Sequence, residues 1–410
     1  MPTNPRLNGN RRLKEGGGGF RDRWIMLAVL TTARLAMGFQ FQSVGSASPF
    51  LVADLGIDYA SVGFLIGLYL LPGVVLALPG GFIGQRFGDK RVVVAGLALM
   101  FIGGILAGAS DSYGMVSAGR FISGVGAVLL NVLLMKMTTD WFADREIVLA
   151  IAILLNAWPI GIGIALVTLG PLGETSSWSA VFYATAAFAV VGLLLVAALY
   201  RSPDSKKVAG SDGVKVFSLS SREFGLVSLA GVVWALYNVA YAIMLGFVPT
   251  FLISRGESVA EAGFTISLNT WIFVASVQIG GMLAQKWGRT NTIMLVGITV
   301  LGVGLALLPL VPSPLWVIVI MGIFGGAPAG AIVSLPAEIL KPENRGPGLG
   351  LFVTWYYGAM AVLPPIAGWL QDISGDAGAP LYFGGFVMVA GLPFLGLLRG
   401  LQRRLSLKRY

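Results

Sequence analysis

Apolar stretches of about 18 residues or more, long enough to cross roughly 30 Å of hydrocarbon, recur from one end of this chain to the other. Lipid offers no water to the backbone, so each peptide group in such a stretch must be satisfied within the segment, as it is in an α-helix. That feature alone predicts an all-α membrane protein. Twelve spans fit the pattern, at 24–48, 59–82, 92–110, 113–135, 147–169, 179–200, 224–252, 261–284, 291–311, 315–337, 348–370 and 380–398. The 57 glycines suit close helix contacts in lipid. Pro72, Pro159, Pro364 and Pro365 fall inside spans, where membrane helices tolerate them.

Charge gives the orientation. With the N-terminus in the cytoplasm, all of the 28 Lys and Arg except Arg34, Arg120 and Arg255 fall in the two tails and five inward loops. The reverse orientation puts them on the wrong side, so cytoplasmic N- and C-termini in a plasma (inner) membrane are expected. The basic tails (Arg11, Arg12, Lys14; Arg399, Arg403, Arg404, Lys408, Arg409) are topology signals that also suit membrane lipid rather than nucleic acid. A polar break runs from Arg201 to Arg222 and includes Pro203, Asp204, Lys206, Lys207, Ser211, Asp212 and Gly213. The expected layout is a disordered basic tail over 1–23 that includes Gly16 to Gly19, a six-helix bundle over 24–200, a cytoplasmic linker over 201–223, a second bundle over 224–400, and a tail over 401–410. No cleaved leader is expected, because the first span is too long for a signal core. Acids cluster in short outward turns: Asp54, Asp58, Asp111, Glu174, Glu257, Glu261, Asp372 and Asp376.

The halves are related. The segment Gly80-Gly81-Phe82-Ile83-Gly84-Gln85-Arg86-Phe87-Gly88-Asp89-Lys90-Arg91 returns two hundred residues later as Gly280-Gly281-Met282-Leu283-Ala284-Gln285-Lys286-Trp287-Gly288-Arg289, and Pro49 returns as Pro249. A displacement of half the chain marks an internal repeat. Glycine lets the helices approach and the backbone reverse, and cations hold the turn on the cytoplasmic side. Gly81, Gln85, Arg86 and Gly88, with Gly281, Gln285, Lys286 and Gly288, are therefore candidate gating residues. This loop resembles the one between the second and third helices of the major facilitator superfamily, with its weaker copy between helices eight and nine. Gln85 stands where that family usually carries an aspartate. Arg120-Phe121-Ile122-Ser123-Gly124-Val125-Gly126 resembles the family's fourth-helix motif. The resemblance implies twelve transmembrane helices in two pseudo-symmetric six-helix bundles that rock about a midplane site. It also implies a central cavity lined by the first, fourth, seventh and tenth helices.

Arg34 and Arg120 are the sharpest site candidates. Arg34 lies about ten residues into the first span, roughly 15 Å deep at 1.5 Å per residue. An arginine there is costly unless it faces protein or water. Gly38, Phe41, Gln42 and Gly45 share its face, and Gly124, Ala127, Val128 and Asn131 share that of Arg120. Each arginine admits two readings: a packing group paired with neighbouring carbonyls, or a substrate contact. The resemblance places both around one water-filled space.

No Asp or Glu falls near the middle of a span. Two buried cations without an internal carboxylate leave uncompensated charge, which an anionic solute would neutralise; guanidinium forks suit carboxylates and oxyanions. Polar and aromatic residues complete a candidate substrate-binding set: Arg34, Gln42, Arg120, Asn131, Trp234, Tyr237, Asn238, Tyr241, Asn269 and Tyr356. Asn156, Trp158, Thr354, Trp355 and Tyr357 are further pathway residues. The connection Pro342-Glu343-Asn344-Arg345 is either a gate latch or a plain solvated loop.

With no Cys and no His, the chain lacks a thiol nucleophile, an imidazole base and a soft metal site. Enzyme chemistry, cofactors and metals are not expected. The expected function is secondary active transport of a small organic anion or oxyanion by a monomer, with a proton or a counter-anion as coupling partner. Among the superfamily's branches, carriers of organic anions and of nitrate- or cyanate-like oxyanions are the most similar, because their sites rest on membrane arginines. An exporter of amphipathic drugs and a non-transporting membrane sensor are the alternatives.

Overall fold

Each apolar run becomes helix, and two are broken. The structure, a computed structural model, describes residues 20–77, 79–109, 111–142, 146–203, 219–341 and 344–407. The first half contains α1 (Phe20–Leu55), α2 (Tyr59–Leu68), α3 (Gly73–Leu76), α4 (Gly80–Phe87), α5 (Asp89–Gly108), α6 (Tyr113–Phe142), α7 (Ile147–Thr175) and α8 (Trp178–Leu199). The second contains α9 (Ser221–Ser254), α10 (Val259–Trp287), α11 (Thr290–Leu307), α12 (Leu315–Gly325), α13 (Ala329–Ile339), α14 (Arg345–Ser374) and α15 (Ala379–Leu407). These make twelve segments long and apolar enough to cross a membrane, six in each half. The chain is a multi-pass membrane protein with an all-α, two-bundle architecture.

Helix starts follow cap chemistry. Ser220 with Glu223 and Ser258 with Glu261 form capping boxes at α9 and α10. Asp58 caps α2, accepting from the Ser61 amide at 2.8 Å. The Ser61 hydroxyl and amide hold the Asp58 carboxyl below the usual carboxylate range, so this cap is intact at neutral pH and weakens only on acidification.

Proline explains the breaks. The second span runs through α2, α3 and α4, interrupted at Pro72 and Pro79. A tight turn re-satisfies its backbone, with Leu70 and Leu71 both donating to the Gly67 carbonyl. The tenth span breaks between α12 and α13, with Pro328 at the restart. There the Tyr237 hydroxyl donates to the freed Gly325 carbonyl at 2.7 Å.

The halves meet where α1 packs on α9, α2 and the following α3 pack on α14, and α7 packs on α10. Under exchange of the halves α1 maps to α9, α2 to α10 and α7 to α14, so the last two pairs are one contact made twice. Their hydrogen bonds run toward the side opposite the chain termini, called the far side below. Gln42 donates to the Leu245 carbonyl at 3.0 Å, Ser48 and Thr250 share a 3.1 Å bond, and Ser267 donates to the Gly163 carbonyl at 2.9 Å. The Asp372 carboxylate accepts from the Tyr59 and Ala60 amides at 2.9 and 2.8 Å, the open N-terminus of α2. The α2–α14 backbones pack so closely that neither Gly63 nor Gly368 has room for a side chain. On the termini side, ion pairs stay within one half, Asp89 with Lys136 and Arg399 with Glu338.

Several boundaries differ from expectation. The first helix starts at Phe20, inside the stretch expected as a tail, and α15 continues to Leu407. Asp54, Glu174, Glu261 and Asp372, expected in outward turns, lie in helix ends, where a carboxylate can serve a cap or a neighbouring helix. Gly16 to Gly19, Arg11, Arg12 and Lys14 lie outside the described residues, as do linker residues Asp204, Lys206, Lys207, Ser211, Asp212 and Gly213, the pair Pro342-Glu343, and Lys408 and Arg409.

Candidate functional site

The first half supplies the site's charge and the second half most of its walls. Arg34 in α1 is 7% exposed. Its Nη1 donates to Asn131 Oδ1 of α6 at 2.8 Å. A guanidinium can only donate, so the Asn131 amide must turn its oxygen to Arg34 and its nitrogen outward. That nitrogen donates to the hydroxyl of Tyr357 in α14 at 3.1 Å, which leaves the Tyr357 proton free for another acceptor. The Tyr357 ring rests against Gly73, just past the break in the second span, where any side chain would collide with it. Arg34 Nε is buried without a hydrogen-bond partner, a cost of about 1–3 kcal/mol or more for a charged group. Among the described residues no carboxylate pairs with Arg34.

Beside this charged corner stands an aromatic wall in two layers. Tyr356 lies 4.9 Å from Tyr357 between ring centres, and Trp234 of α9 lies 6.4 Å from Tyr356. Trp234 is stacked on Tyr237 at 5.7 Å and on Phe352 at 6.2 Å. One and two turns along α9 are Asn238, whose amide donates to the Trp234 carbonyl, and Tyr241, stacked 4.3 Å from Phe273. Trp234, Asn238, Tyr241 and Tyr356 are half-buried, while Tyr237, Phe352 and Phe273 behind them are buried.

Not all expected site residues join. Arg120 is 1% exposed and turned into its own bundle. It donates to the carbonyls of Gln40 at 2.8 Å, Leu65 at 3.2 Å and Phe41 at 3.3 Å, and to the Ser43 hydroxyl at 3.2 Å. It also covers the Tyr69 ring at 4.5 Å. The expectation that both arginines face one space is corrected: carbonyls and a π-face satisfy Arg120, which leaves nothing for a solute. Gln42 belongs to the far-side seal. Asn269 spends its amide on the Ile318 carbonyl at 2.6 Å inside the second bundle. Tyr237 braces the tenth-span break and stands behind the wall. Tyr357, which was not in the substrate-binding set, makes the contact across the halves in place of its neighbour Tyr356; two residues 100° apart on one helix cannot be ranked without knowing where α6 lies.

The repeated loops serve as turns. Gly88 adopts φ 89° and Gly288 φ 62°, the left-handed region that favours glycine, and each ends the helix before it. Gly81 and Gly281 have open space where a side chain would go. Gln85, Arg86, Gln285 and Lys286 are exposed. The acid that acts here is Asp89, four residues after Gln85, which pairs with Lys136 of α6 while Asp140 lies 3.7 Å from the same ammonium.

The family model described as Major Facilitator Superfamily matches residues 30–321 and, again, 241–408. A probable galactarate/D-glucarate transporter of Bacillus subtilis is 25% identical, covering 94% of each chain. A 3-(3-hydroxy-phenyl)propionate transporter of Escherichia coli is 24% identical over 90% of this chain and 92% of its own. An uncharacterized MFS-type transporter of Mycobacterium tuberculosis is 30% identical over 46% of this chain; the matched stretch spans 32% of that protein's length. The crystal structure of the nucleoside transporter NupG superposes with a TM-score of 0.73 at 16% identity, covering 91% of this chain and 98% of that one.

Proposed function

Because the chain belongs to the Major Facilitator Superfamily, whose members carry small solutes, we propose that it is a secondary active transporter of a small anionic solute. The observation that carries this reading is Arg34: a buried guanidinium at mid-span with one neutral partner, an unpaired Nε and, among the described residues, no acid paired with it. A carboxylate or oxyanion supplies both the missing acceptor and the missing charge. The Tyr357 hydroxyl is set to donate to it as well. Two relatives matched over nine-tenths of their length are named for anions, galactarate/D-glucarate and 3-(3-hydroxy-phenyl)propionate.

Transport proceeds by alternating access, with residues 24–200 rocking against 224–400. Hydrogen bonds between the halves close the far side, which supports a conformation whose site opens toward the termini side. The positive charge at the helix ends there supports reading that side as the cytoplasm, in a plasma (inner) membrane. With no acid beside Arg34 to carry a proton, coupling runs through a protonated solute or an exchanged counter-anion. The transporter acts as a monomer.

Thermal-shift screening of the purified protein against an anion panel, followed by proteoliposome flux, tests the reading. A bound anion raises stability by RT ln(1 + [L]/Kd), and Arg34→Gln should abolish both shift and flux. Flux of an uncharged or cationic amphiphile, unaffected by Arg34→Gln, would favour a drug exporter and refute the anion site.

A further inference from the structure

We infer that the carried anion is a planar aromatic monocarboxylate, with its carboxylate on Arg34 and Tyr357 and its ring on Trp234 and Tyr356. The inference rests on the anion reading above and narrows it. Among the described residues Arg34 is the one guanidinium in the cluster, because Arg120 is saturated by Gln40, Phe41, Leu65 and Ser43. A dicarboxylate would therefore bury a second negative charge beside neutral aromatic groups, at a cost nothing nearby offsets. An inorganic oxyanion would satisfy Arg34 but leave the wall next to it uncovered.

The wall has the form of a receiving surface. Trp234 and Tyr356 retain exposed area, while buried Tyr237 and Phe352 stack on Trp234 and fix its plane. Trp234 lies within 18° of parallel to both Tyr237 and Phe352. A flat ring added in front continues that stack with offset geometry, worth about three- to tenfold in affinity over an aliphatic chain of similar area. Tyr356 joins the wall to Tyr357, 4.9 Å away between ring centres, and the Tyr357 hydroxyl shares Asn131 with Arg34, so wall and cation belong to one cluster.

The test measures binding of benzoate, propionate, adipate and nitrate to the full-length protein by thermal shift and calorimetry. Benzoate should bind about tenfold tighter than propionate, with adipate and nitrate weaker than benzoate. Trp234→Ala should weaken benzoate about tenfold and propionate far less, with circular dichroism checking that the variant is folded; Tyr356→Leu provides the same comparison if Trp234→Ala does not fold. Arg34→Gln should remove binding of every acid. If propionate, adipate or nitrate binds as tightly as benzoate and still depends on Arg34, the ring assignment is overturned and the anion site stands. If no acid binds, or binding ignores Arg34→Gln, both are overturned.

Discussion

Two arginines buried in the same bundle, at different levels of it, have opposite fates, and their partners explain why. Arg120 has four acceptors and a ring, so its charge is spread over backbone dipoles. Arg34 has one. Removing Arg120 strands several carbonyls at once. At about 0.6 kcal/mol per hydrogen bond in membrane proteins, Arg120→Leu should cost about 2 kcal/mol, read as a lower Tm, whereas Arg34→Gln should leave Tm little changed while abolishing anion binding. Similar Tm values for the two variants would contradict this division of labour. Helical spacing placed both arginines deep in apolar runs but could not tell them apart. The face that Arg120 presents to α1 and α2 is as rich in small residues as a cavity lining, through Gly124 and Ala127. What separates the two is the position of other helices' carbonyls, which no single helix encodes.

At the scale of elements, the far-side seal is built twice, once where α2 meets α14 and once where α7 meets α10, with α1 and α9 between them. Asp372 is its most specific bond, because both carboxylate oxygens accept from the first amides of α2. Asparagine offers one acceptor in place of two, so Asp372→Asn should loosen this edge and raise the population open to the far side. The chain contains no Cys, so a single Ser46→Cys change gives a clean reporter at the small far-side cavity that Ser46 lines. Its labelling by an impermeant maleimide should rise several-fold in the Asp372→Asn background; unchanged labelling would mean that the bond is incidental. Pro72 reads in the sequence as a proline tolerated within one continuous span, so the break there was not anticipated. The tenth-span break was not anticipated either, since Gly325, Gly326 and Pro328 sit in an apolar run that reads as continuous helix.

At the scale of the whole molecule, the twelve crossings and the half-chain repeat were legible because lipid leaves the backbone few options and because Pro49 and Pro249 mark the same place in each half. The docking of the halves was not legible, as it depends on pairs such as Ser48 with Thr250, two short side chains with no pattern of their own. Those oxygens are 3.1 Å apart, close enough for a disulfide between Ser48→Cys and Thr250→Cys. Oxidation of that double variant should stop flux and reduction should restore it; full flux with the cross-link formed would exclude rocking about this seam.

An arginine in mid-membrane with no acid beside it also has an electrical consequence. On the proposed anion reading, a monovalent anion held there cancels the Arg34 charge, so the loaded carrier presents one elementary charge fewer to the membrane field than the unloaded one, a difference worth about 2.3 kcal/mol per 100 mV for a full crossing. The voltage dependence that Arg34 adds to the cycle therefore falls on the return of the empty protein, and a resting potential that is negative inside holds that form facing the cytoplasm.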